Sequence, residues 1–199
     1  MNKTHLTSHK FADFALAPQV LDALTAQGYG YCTPIQAQCL PLALAGKDIA
    51  GQAQTGTGKT AAFGLPLLQL IKTADKFPQA LVVCPTRELC MQIVNEMNLF
   101  KKHISGLQVL AVYGGTSIGM QIKDLKRGVQ VVVATPGRLI DLIERKAINL
   151  EKIQYVVLDE ADEMLNMGFY EDICSILSDT PDEKNTWLFS ATMPAEVAR

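Results

Sequence analysis

Nowhere in this 199-residue chain do about 18 apolar residues follow one another, the length that a membrane-spanning helix needs. The first ten residues, MNKTHLTSHK, hold no apolar stretch of the kind a secretory signal carries. A soluble, cytoplasmic protein is the expectation. The five cysteines form no C-x-x-C pair and are odd in number, which argues against a zinc site or a disulfide framework and for small core residues in a reducing compartment. The three histidines are scattered among polar neighbours and are assigned no chemistry. Positive charge is scarce as well. With 18 Lys+Arg against 20 Asp+Glu the net charge is −2 and the pI near 5.9, so no broad basic face for nucleic acid is expected. A polyanion would have to be gripped by a few placed groups.

What the chain does have is a repeated alternation. Short, β-rich, nearly all-apolar runs at 48–53, 80–84, 108–112, 129–134, 154–158 and 186–189 are separated by segments long enough for helices. Runs without polar alternation belong to strands covered on both faces. The expected fold is α/β, a mostly parallel central sheet with helices on both faces, in one domain over 11–199 preceded by a polar tail over 1–10. In such sheets ligands bind outside the carboxyl ends of the strands.

The first strand end reads AQTGTGKT, comprising Ala53, Gln54, Thr55, Gly56, Thr57, Gly58, Lys59 and Thr60. The glycines let the backbone curl its N–H groups around a phosphate. Lys59 adds a point charge, expected to point to phosphate or solvent rather than into the core, and the Thr60 hydroxyl can hold Mg²⁺. Ala53 stands where the phosphate-loop pattern has glycine. A glycine-rich turn capping a helix would leave the G-K-T run unexplained.

About 100 residues later comes VVLDEADEML, four carboxylates in five positions: Asp159, Glu160, Asp162 and Glu163. An apolar strand ending in Asp suits a phosphate-loop enzyme, because Asp159 can hold Mg²⁺, partly through water, opposite Thr60. Glu160 is then placed to orient or deprotonate a water. Glu163 reads as part of an acidic helix start.

These residues resemble the DEAD-box RNA helicases, and the chain from Phe11 to Thr192 is similar to that family's first RecA-like lobe, a phosphate-loop NTPase fold. The resemblance implies ATP and Mg²⁺, RNA as partner and a second RecA-like lobe. Upstream, the glutamine of GYGYCTPIQ, Gln36, carries a donor and an acceptor that can match the N6 and N7 edge of adenine. Taken alone it is also an ordinary early-helix residue. The family's Q motif would make Gln36 the adenine reader, Tyr29 a stacking partner and Phe11 the isolated upstream aromatic; Cys32 stands where the family usually has proline. The strand-end groups Pro85-Thr86-Arg87, Gly114-Gly115 and Thr135-Pro136-Gly137-Arg138 offer hydroxyls, close-approach glycines and guanidiniums that suit phosphates. T-P-G-R by itself is also a common turn before a helix. In the family they grip the RNA backbone. Ser190 and Thr192 of S-A-T could simply cap a helix; the resemblance pairs them with Asp162 as a coupling element.

No counterpart of the second lobe, with its arginine-rich motif, precedes Arg199, so a half-enzyme with little activity of its own is expected. The stretch THLTSHKFADFALAPQV resembles the start of RNA-degradation helicases of the RhlB type, implying an RNA-processing or degradation complex. Two functions stay open: an RNA helicase lobe, or a nucleotide-holding module without useful turnover. No N-K-x-D sequence supports a GTPase.

Overall fold

The computed structural model describes residues 5–198. Residues 1–4 of the expected tail, and Arg199, lie outside the described residues. Six strands form one sheet: β1 Ile49–Gln52, β2 Ala80–Val83, β3 Val109–Val112, β4 Val131–Ala134, β5 Tyr155–Leu158 and β6 Asn185–Ser190. All neighbours pair in parallel, in the order β1-β6-β5-β2-β4-β3. All six expected runs are strands, shifted at their ends by no more than two residues.

The helices divide by chain order. α1 Pro18–Ala26, α2 Pro34–Leu44, α3 Lys59–Leu70 and α4 Arg87–Phe100 cover one face, where Phe63, Met97, Trp187 and Phe189 form the core. α5 Ile118–Arg127, α6 Pro136–Glu144, α7 Ala161–Asn166 and α8 Tyr170–Ser178 cover the other, around Leu81, Val132, Leu139 and Met164. Right-handed crossovers impose this division: the chain moves along the sheet from β1 through β2 to β3, then returns through β4 and β5 to β6, and reversing direction changes the covered face. Alternate residues of one strand serve opposite cores, Val82 in the first and Leu81 in the second, which is why the strand sequences show no polar alternation.

Helix starts follow local chemistry. Thr86 caps α4 by accepting from the Leu89 N–H at 3.2 Å, Ser117 caps α5 at Met120, and Pro18, Pro34 and Pro136 occupy first helical positions, where no N–H is needed. Four cysteines are buried; Cys174, on α8, is exposed and departs from the core expectation.

Within the described part of the expected tail, Thr7 donates its N–H to Cys32 O, Cys32 donates to His9 O, both at 2.8 Å, and Phe11 donates to Gly30 O. Lys10 and Tyr31 complete an antiparallel bridge. Main-chain pairing of this kind leaves no mark in a polar composition. It sets Phe11, 2% exposed, in the core edge-on to Tyr29.

Candidate nucleotide site and strand-end surface

The chain leaves β1 at Gln52 and enters α3 at Lys59. Between them Gly56 and Gly58 take φ of +84° and +77°, a region L side chains rarely adopt. The loop leads directly into the N-terminus of α3, where free N–H groups and the helix dipole favour an anion. Ala53 is buried and donates its N–H to Ser190 O at 2.9 Å, fixing the loop's start to the end of β6. Thr57 Oγ1 closes the loop on Gln54 O at 2.7 Å.

Lys59 does not point to solvent. It is 6% exposed, and its Nζ lies 3.1 Å from Asp159 Oδ1 and 3.5 Å from Glu160 Oε1. The sequence expectation is corrected on this point: α3 begins directly opposite the end of β5, and the two fully buried carboxylate oxygens of Asp159 are the nearest charge the ammonium can neutralise. Burial pushes the Asp159 carboxyl above its ordinary range, against the pull of Lys59. Oδ1 also accepts the Glu160 N–H at 3.0 Å, whereas Oδ2 is buried without a partner among the described residues. An unpartnered carboxylate oxygen beside a phosphate loop fits a Mg²⁺ ion, which takes few protein ligands and several phosphate or water oxygens. Glu160 is a left-handed non-glycine residue, φ +53°, at the start of α7. Its carboxylate faces the cavity, with Thr55 Oγ1 at 3.5 Å.

That cavity measures about 580 Å³ and runs from Tyr29 and Gln36 past Gly56, Gly58, Lys59 and Thr60 to Glu160. Gln36 is buried and its amide works on both sides: Oε1 accepts the Thr33 N–H at 2.9 Å, and Nε2 donates to Gly58 O at 3.0 Å. An amide has two donors and two lone pairs, so one of each remains for a base edge. Half-buried Tyr29 stands between Phe11 and Phe100, edge-on to both. Phe11 itself is off the cavity and supports Tyr29 from behind.

Asp162 Oδ2 accepts from both the N–H and the hydroxyl of Thr192, at 3.0 and 2.9 Å, while Ser190 Oγ accepts the Asp162 N–H at 3.1 Å. Burial opposes the charge on Asp162, but the hydrogen bonds of Thr192 and Ser190 outweigh it and hold the carboxyl below its ordinary range.

The three remaining groups sit on the adjacent ends of β2, β4 and β3. Arg87 is exposed and lies over the Tyr113 ring at 4.9 Å. Gly114, Gly115 and Gly137 are exposed, Thr86 and Thr135 partly so. Pro85 and Pro136 are buried, so they shape the turns and present no side chain to a ligand. Arg138 turns back onto the β3 loop, with Nη1 and Nη2 at 3.2 and 3.1 Å from Thr116 O.

A family model described as DEAD/DEAH box helicase matches residues 33–199. The chain belongs to the DEAD/DEAH box helicase family. It is 54% identical over 190 residues to the DEAD-box ATP-dependent RNA helicase CshA of Streptococcus pneumoniae serotype 4, covering 96% of this chain and 36% of that one. It is 50% identical over 189 residues to the ATP-dependent RNA helicase DeaD of Escherichia coli K12, covering 95% and 30%. The solved structure of a DEAD box protein from the hyperthermophile Methanococcus jannaschii superposes with a TM-score of 0.91 at 42% identity, covering 95% of this chain and 52% of that one. The RecA-like fold is thus established, and the chain spans about a third of the length of these curated relatives. Neither relative is of the RhlB type.

Three features of this DEAD/DEAH box lobe escape sequence reasoning. Glu88, Gln92 and Glu96 line the cavity from α4 at a spacing of four, a helical stripe readable once α4 is granted. Tyr113, the aromatic just before Gly114, forms the shelf under Arg87. Buried Gln121 on α5 had no sequence signal beyond being polar on an apolar face.

Proposed function

We propose that this chain is the ATP-binding lobe of a cytoplasmic ATP-dependent RNA helicase, which with a second RecA-like lobe hydrolyses ATP on RNA and opens short duplexes. The observation that carries the reading is the buried contact of Lys59 with Asp159 beneath a phosphate loop, with one Asp159 oxygen left unpartnered.

Adenine would enter beside Tyr29 and the remaining hydrogen-bonding capacity of Gln36, and its phosphates would meet the N–H groups of residues 55–60. Lys59 is positioned to exchange Asp159 for a phosphate oxygen, which releases the Asp159 carboxylate. Mg²⁺, held by the Thr60 hydroxyl and Asp159, would offset the phosphate charge. Glu160 faces the same cavity and is placed to accept the proton of an attacking water, a role exercised in the transition state rather than in binding. Asp162, tied to Ser190 and Thr192, would pass the nucleotide state to the end of β6. Thr86, Arg87, Gly114, Gly115, Thr135, Gly137 and Arg138 would contact the RNA backbone. Membership of an RNA-processing or degradation complex rests on the N-terminal stretch alone.

The test supplies a second RecA-like lobe in trans and measures ATP hydrolysis with and without single-stranded RNA. RNA-dependent turnover above that of either lobe is expected. Nucleotide binding with no RNA-dependent turnover would make this chain a nucleotide-holding module instead.

A further inference from the structure

α5 offers an apolar face to the second core through Ile118, Ile122 and Leu125, yet its buried residue is polar: Gln121, 7% exposed. A buried amide is costly unless its hydrogen bonds are made, and here each one leads to the strand-end surface. Nε2 donates to Tyr113 O and to Thr116 Oγ1, both at 3.1 Å, and Oε1 accepts from Arg138 Nη1 at 3.0 Å. One side chain thus joins the end of β3, the glycine loop and the first turn of α6.

The arrangement also decides which part of Arg138 remains available. A guanidinium has five N–H donors. Nη1 donates to Gln121 Oε1 and Thr116 O, and Nη2 donates to Thr116 O. Among the described residues the Nε–H and the second Nη2–H have no acceptor, and these two lie side by side on one edge, the fork that meets two oxygens of a phosphate. Tyr113, whose carbonyl Gln121 holds, carries Arg87 on its ring face, and a Cβ at Gly115 would come within 3.3 Å of Arg87 Nη1. The two arginines are therefore supported by one connected piece of structure.

We propose that Gln121 is a positioning residue for RNA: it locks the Arg138 guanidinium with its Nε/Nη2 edge outward and fixes the Tyr113 shelf beneath Arg87, so that two cations address neighbouring phosphates. This rests on the RNA-binding reading of the lobe. It also accounts for how an acidic chain can grip a polyanion, since preorganised guanidiniums lose less conformational freedom on binding than free ones.

The test measures binding of fluorescent single-stranded RNA to this chain by anisotropy across a salt series starting at about 50 mM, for the unaltered chain, Arg138→Ala, Gln121→Met and the double variant. Arg138→Ala should weaken binding and reduce the slope of log Kd against log salt by about 0.7, the loss of one phosphate contact. Gln121→Met should reproduce most of that slope change although it removes no charge, and the double variant should be no weaker than Arg138→Ala. Affinity for ADP, measured by calorimetry, should be unchanged in all of them and reports that the fold is intact. Gln121→Asn, whose amide falls one methylene short of Arg138, should behave as Gln121→Met does and serves if the latter does not fold. No RNA binding by the unaltered chain, or none of the expected loss in Arg138→Ala, would overturn the RNA reading itself. A loss in Arg138→Ala with wild-type affinity and slope in both Gln121 variants would overturn the positioning role alone.

Discussion

Lys59 and Asp159 meet at 3.1 Å with side-chain exposures of 7% and 0%, so the phosphate-loop cation and the carboxylate at the end of β5 neutralise each other inside the protein. Removing one member leaves the other charged and buried. Lys59→Ala should therefore abolish nucleotide binding and also destabilise the fold, by about 3 kcal/mol. Adding Asp159→Asn in the same chain should recover much of that stability without restoring binding. Urea denaturation of the two single variants and the double decides it; additive losses would show that the pair is not coupled.

Glu160→Gln separates binding from chemistry. Its carboxylate is 3.5 Å from Lys59 and faces the cavity, so Mg-ATP affinity by calorimetry should remain within about threefold of wild type, while RNA-stimulated turnover with a second lobe should fall by at least about a hundredfold. Undiminished turnover would return this carboxylate to the role of an acidic helix start.

Gln36 should make the cavity prefer adenine. Loss of a paired polar contact costs of order 1–3 kcal/mol, so ADP should bind at least about fivefold more tightly than GDP. Gln36→Ala should remove the preference and, by freeing Gly58 O, weaken both nucleotides. Equal affinities for ADP and GDP in the unaltered chain would refute the base-reading role.

The two loop glycines should differ although both have positive φ. Among the described residues nothing lies within 4 Å of a Cβ built on Gly56, whereas one on Gly58 would collide with the Gln36 amide. Gly56→Ala should cost only the left-handed strain, about 1 kcal/mol of stability. Gly58→Ala should in addition lower ADP affinity by more than about tenfold, which calorimetry reads directly.

Asp162 contributes stability that depends on pH. Its folded carboxyl lies below its unfolded value, so the stability it contributes is present above the ordinary carboxylate range and is lost as pH falls through the lower, folded value. Asp162→Asn or Thr192→Val should flatten the acid side of the curve of unfolding free energy against pH. An acid side identical to wild type would show that the bonds from Thr192 do not favour the charge.

The strands were legible because each is short, apolar and followed by a turn, and the phosphate loop because G-x-G-K-T has few other uses. The order β1-β6-β5-β2-β4-β3 was not, since the central strands β2 and β4 are buried and apolar throughout and carry no mark of which strand lies beside them. Roles that depend on charge partners were also hidden. Lys59 reads as a phosphate ligand in sequence, and only the folded chain shows what neutralises it. Gln121 was invisible for the same reason, because its three partners lie 5, 8 and 17 residues away and meet only when β3 and β4 pair. Phe11 reads in sequence as the isolated aromatic of the nucleotide site, but it lies in the core off the cavity, and its packing behind Tyr29 depends on the bridge between Lys10 and Tyr31.

The adjacency of β2, β4 and β3 also sets a length scale. Neighbouring strands lie about 4.8 Å apart, so the three loop-bearing ends span roughly 10 Å from the first to the last. A polynucleotide laid across them meets this lobe through only a few successive phosphates, however long it is. Under the proposed RNA-binding function, such a footprint would have no means of measuring the length of an RNA or of reading an extended sequence.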